Sequence, residues 1–242
     1  MGTLTWLTVR PIAHRGLHDA EAGIVENTAA AFTAAIAAGY GIETDLQPSR
    51  DGEAMVHHDD ALGRLVEGTE RLRDLDAADL RAHPYKATAD RMLTLGELLD
   101  LVGGRVPLLI ELKSRFDGDR TLARRVASLL GGTTAPIAVM SFDPALMVAV
   151  NALAPRLTRG LVGERRFAGA GPLDRRAGML LDALRADPAF LAWRLQDLDA
   201  WPPRLARTFG RPLLSWTIRS AAQRDEALRA GADQVIFEGF RA

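Results

Sequence analysis

The sequence predicts an α/β fold closed as a (β/α)8 barrel, on three observations. Apolar runs of strand length alternate with segments of helical period through eight successive units. The chain has 242 residues, close to the roughly 250 of one such barrel, so a single domain over 1–242 accounts for the length. Hydrophobic residues make up 48% and charged residues 25%, a balance that can bury a large core and argues against extended disorder.

The expected strands, in order, are 7–13, 41–46, 106–112, 137–141, 159–162, 189–194, 213–218 and 234–237. Between them the helical period marks 28–38, 94–102, 122–130, 144–153, 175–185 and 221–230. Asn27, Asp143 and Ser220 stand where N-caps belong, and Gly39, Gly103, Gly131 and Gly231 stand where helices end. The segment 60–92 breaks the alternation: it is rich in Arg and Asp and contains His83-Pro84. It reads as a small insertion after the second strand, an extended loop with room for short helices, which in a barrel forms a lid over the catalytic face. No solenoid-period repeat, low-complexity tract or long linker interrupts the chain.

Charge and composition exclude several classes. A net charge of -1 offers no basic field for a nucleic-acid backbone. The absence of cysteine removes disulfides, thiolate metal sites and a thiol nucleophile, which leaves histidines, carboxylates and hydroxyls to carry any chemistry. The longest alanine-rich run, 29–38, is too short to span a bilayer, and residues 1–10 lack the basic start and long apolar stretch of a signal peptide. The expectation is a cytoplasmic protein with a small-molecule partner, of undefined oligomeric state. Only Lys86 and Lys113 are lysines, against many arginines, so Lys113 at the end of the third expected strand is conspicuous.

Glu43 and Asp45 are two apart on the second strand and so share a face, which in a closed barrel is the interior. In 108–113 the residues Leu109, Glu111 and Lys113 share one face, and Ile110 and Leu112 the other. A lone acidic residue at a strand end is more often a cap or an ion-pair partner. Several carboxylates converging in a barrel core repel one another, and a divalent cation removes the conflict. Oxygen-only ligands suit Mg2+ or Ca2+ better than zinc. Among the histidines, His14 directly follows the first strand and precedes Arg15-Gly16, while His57 and His58 precede Asp59. Any one of them can be a packed or surface residue, but histidine is the side chain best suited to proton transfer near neutral pH. Glu26-Asn27-Thr28 precedes the first helix and reads foremost as its N-cap.

Taken in order, His14-Arg15-Gly16, Glu26-Asn27-Thr28, Glu43-Thr44-Asp45, Asp51-Gly52, Val56-His57-His58-Asp59 and Glu111-Leu112-Lys113 resemble the glycerophosphodiester phosphodiesterase family. Ser141-Phe142 and Ser215-Trp216-Thr217 resemble later landmarks of that family. The resemblance implies a (β/α)8 TIM barrel and metal-dependent hydrolysis of glycerophosphodiesters to an alcohol and glycerol 3-phosphate. It implies metal ligation by Glu43, Asp45 and Glu111, acid-base catalysis by His14 and His58, and substrate contacts from Arg15, Lys113 and Trp216, with His57 a bystander. It further implies that the glycerol hydroxyl of the substrate attacks first and that water opens the resulting cyclic phosphate.

Two positions depart from the family pattern. Phe237-Glu238 stands where the family commonly has Thr-Asp, and Arg64-Leu65-Val66 stands in place of Arg-Thr-Thr after Asp59. Neither falls on a proposed metal or acid-base position. A related barrel acting on lysophospholipid or sphingolipid head groups would share these residues and present an apolar rim for an acyl chain. A catalytically silent ligand-binding barrel is the remaining alternative, motivated by Phe237-Glu238.

Overall fold

The computed structural model describes residues 4–165 and 173–242. Eight parallel strands close on themselves: β1 (Ile12–Ala13), β2 (Gly41–Pro48), β4 (Leu108–Leu112), β5 (Ile137–Ser141), β6 (Thr158–Gly163), β7 (Phe190–Arg194), β8 (Leu213–Ile218) and β9 (Gln234–Phe237). Closure is made by β1, which pairs with β2 through Ile12↔Gly41 and with β9 through Ile12↔Ile236. Helices cover the outside: α2 (Ala29–Ala38), α4 (Leu95–Val102), α5 (Thr121–Leu130), α6 (Pro144–Leu153), α7 (Leu173–Arg185), α8 (Trp201–Thr208) and α9 (Ala221–Arg229). The barrel expected from the alternation is the fold observed.

Strand alternation sorts the core into two shells. Leu109, Ala138, Met140, Phe190, Ala192 and Leu214 fill the inside, while Ile110, Leu112, Val139, Leu191 and Leu213 face the helices. Gly160 has no side chain because its β7 partner Phe190 takes the space: a Cβ there would lie 2.4 Å from the Phe190 ring. Caps follow the expected chemistry at Asp143 and Ser220, whose side chains accept from Ala145 N and Gln223 N.

Three elements differ from expectation. The first strand is not 7–13 but only Ile12–Ala13; Thr5–Thr8 form a helical turn, α1, whose Leu7 is 1% exposed among the inner residues. Apolar runs of this length do not by themselves separate strand from buried helix. Here the N-terminal end of the barrel needs a plug, and Gln234 at the start of β9 holds it by donating to Thr8 O at 2.9 Å. The second strand runs past 46 to Pro48 and folds back through Asp51-Gly52 into β3 (Ala54–Val56), antiparallel to β2 with Leu46 opposite Val56. The helix α8 was hidden by Pro202-Pro203, which its first turn tolerates because those N–H groups have no helical partner. Residues 60–92 contain a 3-10 turn at Leu72–Asp74 and a short helix, α3 (Ala77–Ala82), around an apolar cluster including Leu62, Val66, Leu72, Leu80 and Met92. Among the described residues no helix is long and apolar enough to cross a membrane.

Candidate active site

The C-terminal ends of β1, β2 and β4 and the loops beyond them gather the acidic and basic residues singled out in the sequence. The register of β2 and β4 sets Asp45 directly beside Glu111, with Glu43 two residues earlier on the same inner face. Glu43, Asp45 and Glu111 are all buried, and one oxygen of each lies within 4.8 Å of the others. Lys113 reaches across them, 2.7 Å from Asp45 Oδ1 and 2.7 Å from Glu111 Oε1. The ion pair with Glu111 is therefore present, and Asp45 shares it.

Arg15 supplies the second cation. It sits in a left-handed conformation, φ 56°, uncommon outside glycine, and three contacts hold it there. Its backbone N–H donates to Glu43 Oε2 at 3.1 Å, and its guanidinium lies 2.7 Å from Glu26 Oε1 and 3.2 Å from Asp45 Oδ2. The following Gly16 passes so close to α2 that a Cβ would stand 2.9 Å from Ala31, at a φ of 79°.

Burial, then the charges of Asp45 and Glu111, pushes the Glu43 carboxyl well above its ordinary range. Burial raises Glu111 as well, against the pull of Lys113. At Asp45 burial is outweighed by Lys113 and Arg15, which hold the carboxyl well below its usual value. Three carboxylates thus face two cations, and Asp45 Oδ1 is buried with no aligned hydrogen-bond donor despite its proximity to Lys113. This all-oxygen cluster, short of positive charge, fits a hard divalent cation.

Both expected catalytic histidines border the cluster. His14 Nε2 lies 3.9 Å from Glu43 Oε2, and its Nδ1 meets Glu238 in a short hydrogen bond. His58 Nδ1 meets Asp59 Oδ1 at 2.8 Å; Arg64 Nε binds the other Asp59 oxygen at 2.6 Å and its guanidinium also reaches Glu26 at 2.7 Å. Burial, then Lys113 and Arg15 against the opposing pull of Asp45, lowers the His58 pKa. Trp216, half-buried on β8, donates Nε1–H to Ala192 O at 3.1 Å and meets Phe142 edge to face at 5.5 Å.

Asn27 belongs to the site, although the sequence placed it first as a helix cap. Thr28 is the N-cap of α2, its hydroxyl accepting from Ala31 N. Asn27 is buried at φ 57°, donates Nδ2–H to Asp45 Oδ2 at 3.0 Å and accepts from Thr44 Oγ1 at 2.8 Å. The signal was present in the Glu26-Asn27-Thr28 match; an N-cap was simply the commoner role for an Asn before a helix.

His57, adjacent to His58 in sequence, is 1% exposed and its Nδ1 has no hydrogen-bond partner among the described residues. Burial lowers its pKa from 6.5 to about 4, so it is neutral at neutral pH. The unfolded chain protonates near 6.5 and the folded chain only near 4, so the unfolded state binds more protons in between. This contribution to stability is full above about 6.5 and falls as pH is lowered toward about 4. In urea titrations, wild type is expected to lose about 2 to 3 kcal/mol more than His57→Gln across that window. Parallel losses in the two proteins would show that the folded state accommodates the charged ring.

A closed parallel barrel with a carboxylate cluster at its C-terminal mouth is a site that could hold a metal ion, and sequence comparison gives the family. The profile of the glycerophosphoryl diester phosphodiesterase family matches residues 14–239. The chain belongs to that family, and with it to the phosphoric diester hydrolases. It is 26% identical over 246 residues to a glycerophosphodiester phosphodiesterase of Caldanaerobacter subterraneus subsp. tengcongensis, covering 93% of this chain and 92% of the relative. It is 27% identical over 248 residues to one from Bacillus subtilis, covering 93% and 82%. Among solved structures it resembles an Oleispira antarctica phosphodiesterase in complex with the product sn-glycerol-3-phosphate, at a TM-score of 0.79, 22% identity and coverage of 96% and 94%. A Thermotoga maritima glycerophosphodiester phosphodiesterase superposes with a TM-score of 0.71 at 24% identity, covering 93% and 92%.

Proposed function

We propose that this protein hydrolyses glycerophosphodiesters to an alcohol and glycerol 3-phosphate, with His14 and His58 as its acid-base pair and Glu43, Asp45 and Glu111 as ligands of Mg2+ or Ca2+. The observation that carries the reading is the convergence of three buried carboxylates, two cations and two histidines at one end of the barrel. A phosphodiester is anionic and its alkoxide leaving group is poor, so cleavage needs charge neutralisation and a proton donor. The bound cation would supply Lewis-acid neutralisation at the non-bridging oxygens. Arg15 and Lys113 add fixed positive charge beside it, and Asn27 keeps Asp45 turned toward the cluster. One histidine takes the proton of the attacking hydroxyl while the other protonates the departing oxygen. Trp216 forms an apolar wall for the glycerol or the leaving group. Residues 60–92 act as the lid, latched to the barrel where Arg64 bridges Glu26 and Asp59.

Incubation with glycerophosphocholine is expected to release glycerol 3-phosphate and choline. Exhaustive chelation should stop the release, and Mg2+ or Ca2+ should restore it. Full activity after chelation would refute the metal, and phosphocholine among the products would refute the bond assigned to cleavage.

One observation favours a second reading, in which the glycerol carries an acyl chain. An apolar groove of about 320 Å3 runs between α7 and α8, lined by Leu161, Met179, Leu184, Trp193 and Trp201. Phe142, which meets Trp216 edge to face, is also among its lining residues. Turnover of monomeric lysophosphatidylcholine faster than glycerophosphocholine, abolished by Leu184→Glu, would establish that reading; equal or slower turnover would remove it.

A further inference from the structure

Glu238, half of the Phe237-Glu238 departure, is turned toward His14. Phe237 packs outward between Tyr40 and Phe240, with ring centroids at 4.8 and 5.4 Å. Glu238 directly follows β9, and its N–H donates to Ile218 O at 2.9 Å while Phe237 O accepts from His14 N–H at 2.8 Å. Backbone hydrogen bonds therefore fix the two residues relative to each other. The carboxylate is held from both sides, Oε2 by His14 Nδ1 and Oε1 by Arg219 at 2.7 Å, with His18 Nε2 at 3.8 Å from Oε2. Burial opposes its charge, but the His14 hydrogen bond, the approach of His18 and the charge of Arg219 hold it well below the usual carboxylate range.

We propose that Glu238 is the positioning residue of His14, holding the ring with the proton on Nδ1 and with Nε2 turned toward the carboxylate cluster. The proposal rests on the reading in which His14 moves a proton during phosphodiester cleavage. An ionised carboxylate only accepts hydrogen bonds, so the Nδ1 facing it carries the proton and the neutral ring keeps its lone pair on Nε2. That is the nitrogen 3.9 Å from Glu43 Oε2. Free imidazole side chains favour the opposite tautomer, so the arrangement needs a dedicated acceptor.

The same construction occurs at the other histidine. His58 Nδ1 meets one oxygen of Asp59, and Arg64 holds the second. Each histidine therefore leans on a carboxylate that is itself anchored by an arginine. At His58 the carboxylate is the next residue in the chain; at His14 it comes from 224 positions away. Two groups that exchange the roles of acid and base benefit from the same rigid support, since each must present Nε2 at a fixed angle.

The competing role for Glu238 is structural, an anchor for Arg219 that ties the ends of β8 and β9 together. Glu238→Ala, Glu238→Gln and Arg219→Ala in the full chain separate the two. With Mg2+ or Ca2+ present and glycerophosphocholine as substrate, Glu238→Ala is expected to lower kcat by about tenfold to a hundredfold, with KM within about twofold of wild type. Glu238→Gln keeps an acceptor oxygen and should recover part of the loss, while Arg219→Ala should cost less than Glu238→Ala. In the metal-free protein, above the histidine titration range, 15N spectra should show His14 protonated on Nδ1 in wild type and shifted toward the Nε2 form in Glu238→Ala. An unchanged tautomer, or a kcat equal to wild type, would overturn the proposal. The tautomer is read without substrate, so a protein that failed to cleave glycerophosphocholine would refute the activity and leave the Glu238 result standing on its own.

Discussion

His14→Ala and His58→Ala are each expected to lower kcat by about a hundredfold or more, the usual cost of losing positioned acid-base help. Neither ring is a large part of the core: both are half-buried, and each is held at Nδ1 by one carboxylate. Their loss should therefore reach turnover before it reaches stability. The pair can be told apart by the leaving group. A p-nitrophenolate leaves without protonation, so the variant lacking the general acid should lose much less on a p-nitrophenyl phosphodiester than on glycerophosphocholine. The variant lacking the base should lose equally on both. His57→Ala supplies the contrast: that ring is sealed from solvent and neutral, so its removal should cost stability through a cavity while the folded enzyme turns over near the wild-type rate. If His57→Ala damaged kcat more than His58→Ala, the roles of the two would be exchanged.

The second large effect is expected at Lys113. Its ammonium is a compact charge 2.7 Å from both Asp45 and Glu111, in a site also crowded by Arg15. A guanidinium keeps the charge but brings a broad planar fork into the same space. Lys113→Arg should lower kcat by about tenfold to a hundredfold, because displacement of about 1 Å at reacting groups has that cost, with little change in thermal stability. Lys113→Met removes the charge and leaves three buried carboxylates with Arg15 alone. Breaking a buried pair in this way costs about 3 to 5 kcal/mol, and Mg2+ or Ca2+ should return part of that stability by binding the folded state. Wild-type turnover in Lys113→Arg would show that charge alone suffices at this position.

Most of the barrel could be read from the sequence because parallel strands covered by helices are written as apolar runs between amphipathic segments. Strands β5, β8 and β9 fall at their expected residues, and β6 and β7 within one residue of them. The elements that escaped are those whose local pattern competes with a tertiary demand. Thr5–Thr8 carry strand-like composition yet plug the barrel floor as a helix, and the three-residue β3 is too short to have a period. At the site, Glu43, Asp45 and Glu111 were legible because alternation alone puts carboxylates on an inner face. Asn27 carried its signal in the Glu26-Asn27-Thr28 match but was read as a cap, and the role of Glu238 depends on a partner 224 residues away. Side chains recruited across such distances leave no spacing to read.

The strand β1 contributes only Ile12 and Ala13 to the sheet, yet it alone joins β2 to β9. Through this two-residue seam the contact between His14 and Glu238 depends on the docking of β9 against β1. During synthesis His14 emerges early, but it has no acceptor until Glu238 has been made and β9 has docked against β1. Docking two elements so far apart in the chain carries the loop-closure entropy that slows folding of non-local topologies. Competence for turnover then reports on closure of the whole ring, and refolding followed by activity should lag refolding followed by helix content.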